Sequence, residues 1–322
     1  SECSRKPPMP IASVVRGKPK KIKKTLKMTE QSSTPHYPVQ SLLENITQTL
    51  TKLGLEFELE NAIKRGLKNE IKFSISDNFV TDIAELNLSN QVKLQENFCQ
   101  FYWCLCFSSI LFYDKEFGKE EGEDNSEDLK LAFSAFEAGV GLLKNDKKII
   151  TPRHVFFDLP NPYNKSEHKY VGIANNVFCY GIAFILCHEL AHFEYNHSWQ
   201  GSIEEEETAD SSAFWALYGS VSEEEKITAI IGIITALCAI IFLDNSIKGD
   251  DTHPDSDIRL ENVLKIIDSD YDNYWGIACV CLKMWAFNYH LDDKLPNVTE
   301  SETWQDYFKL ILNSLEDLKQ EN

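Results

Sequence analysis

The sequence predicts a mainly α chain of α+β class, with a small β-hairpin or sheet. Three observations carry that expectation. The apolar runs FCQFYWCLCFSSILFY (98–113) and ITAIIGIITALCAIIFL (227–243) are too long and too apolar to be half-exposed strands and read as buried helices. Only residues 71–86 alternate in twos. The 322 residues, 43% apolar and 25% charged with only 14 Gly and 11 Pro, suffice for a core and exclude collagen-like, wholly disordered and polytopic membrane classes.

Charge divides the chain. Lys and Arg number 32 against 50 Asp and Glu, a net −18 that disfavours a nucleic-acid partner, because phosphate binding needs a concentrated positive footprint. Residues 1–38 hold nine basic and two acidic side chains, a net +7, so the remainder carries −25. With six prolines and no apolar periodicity, this segment is expected to be a basic, disordered extension, a membrane- or RNA-binding tail being its functional alternative. Met28 offers a natural start, which would make residues 1–27 non-native sequence. Residues 39–322 are expected to form one domain. The nine cysteines are odd in number, contain no CxxC pair and lie mostly in apolar runs, so buried thiols in a reducing cytoplasm are expected.

The elements follow in order. From Val39 to about Asn69 the mixed three and four spacing of apolar residues predicts an amphipathic helix or a broken pair. IKFSIS (71–76) and FVTDIAEL (79–86) predict a hairpin around Asp77 and Asn78. The buried helix at 98–113 and an acidic surface loop come next. Helices are expected at 172–196 and 203–219, the second announced by a capping box of Ser202 and Glu205. The run 227–243, at the lower limit for spanning a bilayer, is preceded by Ser222 and Glu225 in capping-box spacing. A water-exposed first turn favours a core helix over stable membrane insertion.

The residues that carry chemistry are CHELAH, 187–192. On a helix His188 and His192 project from one face within reach of a single cation, and Glu189 sits beside the first of them. That is the zincin arrangement: Zn2+ held by neutral imidazoles brings the pKa of a bound water to about 7, and the neighbouring carboxylate takes its proton as a carbonyl carbon is attacked. Glu206 is the best third ligand, with Glu207 as its competitor. Asp210, four residues on, shares a helical face with Glu206 and suits a carboxylate that orients a ligating histidine. His253, in DTHPDS, can return to the site as an oxyanion donor, and Arg259 is expected to pair with Asp255 or Asp257 and fix that loop. His197, five after His192, reads as structural or loop-positioned.

The run AFILCHELAHFEYNH, the helix EETADSSAFWAL, the segment AIIGIITALCAII and THPDSDIRLENV resemble, over about residues 172–265, the Lit family of phage-exclusion peptidases. More loosely, HELAH, ExxxD and THPxxxxR are similar to the prenyl-protease family, which shares a gluzincin-like core. The resemblance implies a cytoplasmic zinc endopeptidase with a zincin-like core. It implies a protein substrate, the host translation factor elongation factor Tu, and a phage-derived peptide or protein as activator. By position it makes His188, His192 and Glu206 the zinc ligands and Glu189 the base, with His253 and Arg259 assisting. The alternatives are a catalytically silent zincin-like binding or sensor protein and a membrane-associated prenyl-protease-like peptidase.

Overall fold

The computed structural model describes residues 27–29, 38–55, 70–74, 84–87, 91–117, 125–144, 159–163, 168–197, 201–243, 248–249, 254–267, 272–298 and 301–321. Among them the protein is mainly α, as expected. A short 3-10 turn, Pro38–Leu42, leads into α1 (Leu43–Lys52), and a four-stranded sheet is formed by one strand before this turn and three after α1. Nearly all the rest is helix: α2 (Glu96–Phe112), α3 (Ser126–Leu143), α4 (Lys169–Tyr195), α5 (Ile203–Tyr218), α6 (Glu223–Ile241), α7 (Ser256–Ile267), α8 (Asp272–Asn288) and α9 (Trp304–Glu321).

The sheet corrects the expected hairpin. Its strands are β1 (Lys27–Thr29), β2 (Glu70–Ser74), β3 (Ala84–Asn87) and β4 (Gln91–Gln95), in the order β1-β2-β4-β3. The antiparallel pair is β3 with β4, while β2 lies parallel to β4. Alternation located β2 and β3, but pairing is chosen by the chain that crosses back, and β4 was overlooked because it runs directly into the apolar α2. Asp77 and Asn78 lie outside the described residues. Strand β1, parallel to β2, falls inside the basic segment set apart from the fold in the sequence.

The core is built on α2, which packs on α3 and α4, and on α4, which also packs on α5 and α6. All but two of the residues of α2 are buried, among them Phe98, Phe101, Tyr102, Trp103 and Phe107. Trp103 Nε1 donates to Asn175 Oδ1 of α4 at 2.8 Å, and the Tyr102 hydroxyl donates to the Gly232 carbonyl of α6 at 2.9 Å, so the polar atoms of these aromatics are satisfied inside. The expected core helix at 227–243 is α6, mostly buried. Its N-terminal box differs from expectation: Ser222 Oγ donates to Glu225 Oε2 at 3.1 Å instead of capping a backbone N–H, and Glu225 also pairs with Lys52 of α1. Among the described residues α4 is the helix long and apolar enough to cross a bilayer, and most of its apolar stretch is buried inside the fold. The eight described cysteines are buried thiols.

Helices α4 and α6 approach closely because glycine lines their crossing. A Cβ at Gly232 would lie 2.8 Å from the Val177 carbonyl oxygen and 2.9 Å from the Gly181 nitrogen, backbone atoms that yield only if a helix shifts. Gly232→Ala should therefore cost about 1–3 kcal/mol of stability, read as a lowered melting temperature, despite alanine's better helix propensity.

Candidate metal centre

The last two turns of α4 emerge from the core half-buried, and they carry His188, Glu189 and His192. Two residues in the left-handed region then reverse the chain, Asn196 (φ 53°) and Gly201 (φ 65°). The Asn196 turn closes as a Schellman motif: the N–H of His197 bonds to the His192 carbonyl at 3.0 Å and that of Asn196 to Phe193 at 3.4 Å. Ser202 caps α5 as expected, its Oγ accepting the Glu205 N–H at 3.2 Å. The first turns of α5 lie against α4. Glu206 and Asp210, one helical turn apart, are buried there, whereas Glu207 points outward and is exposed.

His188 Nε2 and His192 Nε2 lie 2.9 Å apart, and the two oxygens of Glu206 lie 3.4 Å from the first and 3.3 Å from the second. Tetrahedral zinc with bonds of about 2.0–2.1 Å sets its ligand atoms about 3.3 Å apart; the two carboxylate distances, each to its own oxygen, are near that spacing, and the histidine nitrogens stand closer together. The chemistry of the set fits as well. Two imidazole nitrogens and a carboxylate facing inward at these distances repel one another unless a proton or a cation sits between them. His188, His192 and Glu206 thus form a group able to hold a metal ion.

Behind the triangle stands a second carboxylate. Asp210 Oδ1 lies 2.9 Å from His188 Nδ1, off the line of a well-aligned hydrogen bond, and this leaves Nε2 facing the triangle. Arg259 of α7 clamps Asp210 with two bonds, Nε to Oδ2 and Nη2 to Oδ1, both 2.7 Å, and its Nη2 reaches to 3.7 Å from Glu206. This corrects the expected partner of Arg259, because Asp255 and Asp257 are held by Lys319 instead. Arg259 therefore stands behind Asp210. His253 lies outside the described residues.

Charge inside the site is coupled. Burial opposes ionisation of Asp210, yet Arg259 and His188 outweigh it and hold its carboxyl at about 2. Burial likewise works against Glu206, but the two histidines and Arg259 keep it well below the usual carboxylate range. Burial would strip the proton from His188, while Asp210 and Glu206 together push it up to about 9. Two carboxylates thus face the His188 imidazole with the Arg259 guanidinium behind them, a donor set that suits a divalent cation.

One residue of the arrangement was missed in the sequence. His197 Nδ1 lies 2.8 Å from His192 Nδ1, its ring stacks on Tyr195 at 5.6 Å, and the Tyr195 hydroxyl accepts from Ser212 of α5 at 3.3 Å. An offset of five places His197 away from the ligand face of a straight helix. Asn196, a residue that tolerates the left-handed conformation, was the signal that the chain folds back there.

The family described as Peptidase U49 matches residues 92–278, more than half of the chain and a range that contains His188, Glu189, His192, Glu206, Asp210 and Arg259. No curated protein and no solved structure matches the chain. The chain belongs to the Peptidase U49 family and is a peptidase.

Proposed function

We propose that this peptidase is a zinc-dependent endopeptidase with a zincin-like core, working in the cytoplasm in phage exclusion. Its substrate is a host translation factor, elongation factor Tu, and a phage-derived peptide or protein is its trigger. The biological assignment rests on the Lit-type resemblance of residues 172–265. The chemistry rests on one observation, the triangle of His188, His192 and Glu206 with Glu189 next to the first histidine.

His188 and His192 through Nε2, and Glu206 through its carboxylate, would hold the metal. Zinc held there supplies Lewis acidity, activating a water and polarising the scissile carbonyl. Glu189 takes the water's proton on its carboxylate and returns it to the leaving amine. Asp210 fixes the ring orientation and tautomer of His188, with Arg259 fixing Asp210 in turn. His253 completes the set as donor to the developing oxyanion.

Metal analysis of the purified chain, alongside proteomes of phage-infected cells expressing wild type and Glu189→Gln, tests the proposal. About one zinc per chain and a fragment of elongation factor Tu that only the wild type produces are expected. Stoichiometric metal without any wild-type-specific fragment would point to the silent scaffold instead. With Nε2 on the metal, His192 would carry its proton on Nδ1 and donate it to His197 Nδ1, 2.8 Å away, so His197→Ala should weaken zinc binding about 10- to 100-fold in a chelator competition, with Gln recovering part of the loss.

A further inference from the structure

We propose that Lys319, in the last turns of α9, is a positioning residue for the metal centre: it occupies the two carboxylates at the start of α7 that would otherwise draw Arg259 from Asp210. The inference rests on the metallopeptidase reading and deepens it. Lys319 lies beyond the region matched by the family.

The Lys319 ammonium sits 2.8 Å from Asp255 Oδ2, 2.8 and 2.9 Å from the two oxygens of Asp257, and 2.7 Å from Glu316 Oε1. Two of these groups are interior, the Lys319 side chain at 7% exposure and that of Asp257 at 1%, while Asp255 is half-buried and Glu316 exposed. Burial raises the carboxyl of Asp257, against the pull of Lys319, so this carboxylate depends on a cationic neighbour. Asp255 also begins α7. Its carbonyl accepts the N–H of Ile258 at 3.0 Å and of Arg259 at 3.1 Å, and its Oδ1 accepts the Gly249 N–H at 2.7 Å. Lys319 therefore grips the residue that receives Arg259's own backbone hydrogen bond.

Removing Lys319 leaves two acidic groups, two and four residues before Arg259 on the same helix start, without its ammonium; Asp255 keeps the attraction of Lys248, whereas the buried Asp257 loses the cation in contact with it. Spacing of four lets Asp255 and Arg259 meet on one face. A buried carboxylate without a counter-charge is strongly unfavourable, and the guanidinium of Arg259 is the replacement at hand. A guanidinium that turns to Asp255 or Asp257 releases Asp210, and with it the acceptor beside His188 Nδ1. The pairing expected from sequence for Arg259 is thus the competing state, and Lys319 excludes it.

The test uses the full chain in two arms. In metal-free protein, the Arg259 Nε–H signal in proton–nitrogen NMR, assigned with Arg259→Lys, should be protected from solvent exchange in wild type and Lys319→Arg and lose protection in Lys319→Met. Adding Asp255→Asn and Asp257→Asn to Lys319→Met removes the competing charges and should restore that protection, which keeps the test decisive if the single variant folds poorly. In the second arm, chelator competition should show zinc binding about 10- to 100-fold weaker in Lys319→Met and near wild type in the triple variant. A protected Arg259 Nε–H in folded Lys319→Met, or a folded triple variant as impaired as the single one, overturns the proposal. Wild type that takes up no zinc would overturn the metallopeptidase reading, while the NMR arm still decides whether Lys319 holds Arg259.

Discussion

Glu189→Gln should leave metal content, melting temperature and fold unchanged while lowering proteolysis by about 10²- to 10⁴-fold, the usual contribution of a positioned general base. The amide matches the carboxylate in size and cannot accept a proton. Glu189 takes no part in the ligand triangle, so zinc should stay in place. It lies near enough to Arg259 to favour the charged guanidinium, but Asp210 and Glu206 dominate there, so neutralising Glu189 should spare the clamp. Metal content and cleavage of the same preparation are the paired measurements. Cleavage within about tenfold of wild type would assign the base to another residue.

What the sequence disclosed is what local geometry determines. Two histidines four apart share a helical face wherever that helix lies, so the pair was legible in CHELAH alone. Glu206 was legible through the cap at Ser202, which fixes where α5 starts and which of its acidic residues turn inward. Long-range choices were not legible. Arg259 has two carboxylates within four residues, and only the fold shows that Lys319, sixty positions further on, has taken both. Strand pairing failed for the same reason: alternation marks a strand, while the partner of β2 is set by a crossover that no local pattern encodes. The N-terminal box of α6 failed because Lys52 of α1 engages Glu225, turning its carboxylate into a surface ion-pair partner. His197 was hidden by a single left-handed residue.

Glu206→Gln should abolish tight zinc binding, whereas Asp210→Asn should only weaken it. Glu206 offers one oxygen toward each histidine, at 3.4 and 3.3 Å, so its amide replaces an anionic donor inside the triangle by a neutral one and leaves less charge to offset the cation. The loss should exceed about 100-fold, the upper end for losing an outer partner. Asp210 reaches the metal only through His188, and Asn keeps an oxygen for that contact, so about 10- to 100-fold is expected. Stability should rank the other way. Arg259 is buried and clamped to Asp210, and without that charge its nearest remaining acid is Glu206 at 3.7 Å, so Asp210→Asn leaves a buried cation poorly paired, a change of about 3–5 kcal/mol when one partner is removed outright. Compared in metal-free protein, Glu206→Gln keeps the clamp whole and should lower the unfolding temperature less than Asp210→Asn does. Glu207→Gln, at an exposed position beside Glu206, should leave both properties intact. Zinc affinity and thermal unfolding of the three variants give the ranking, and a Glu207 variant that loses metal while Glu206→Gln keeps it would reverse the ligand assignment.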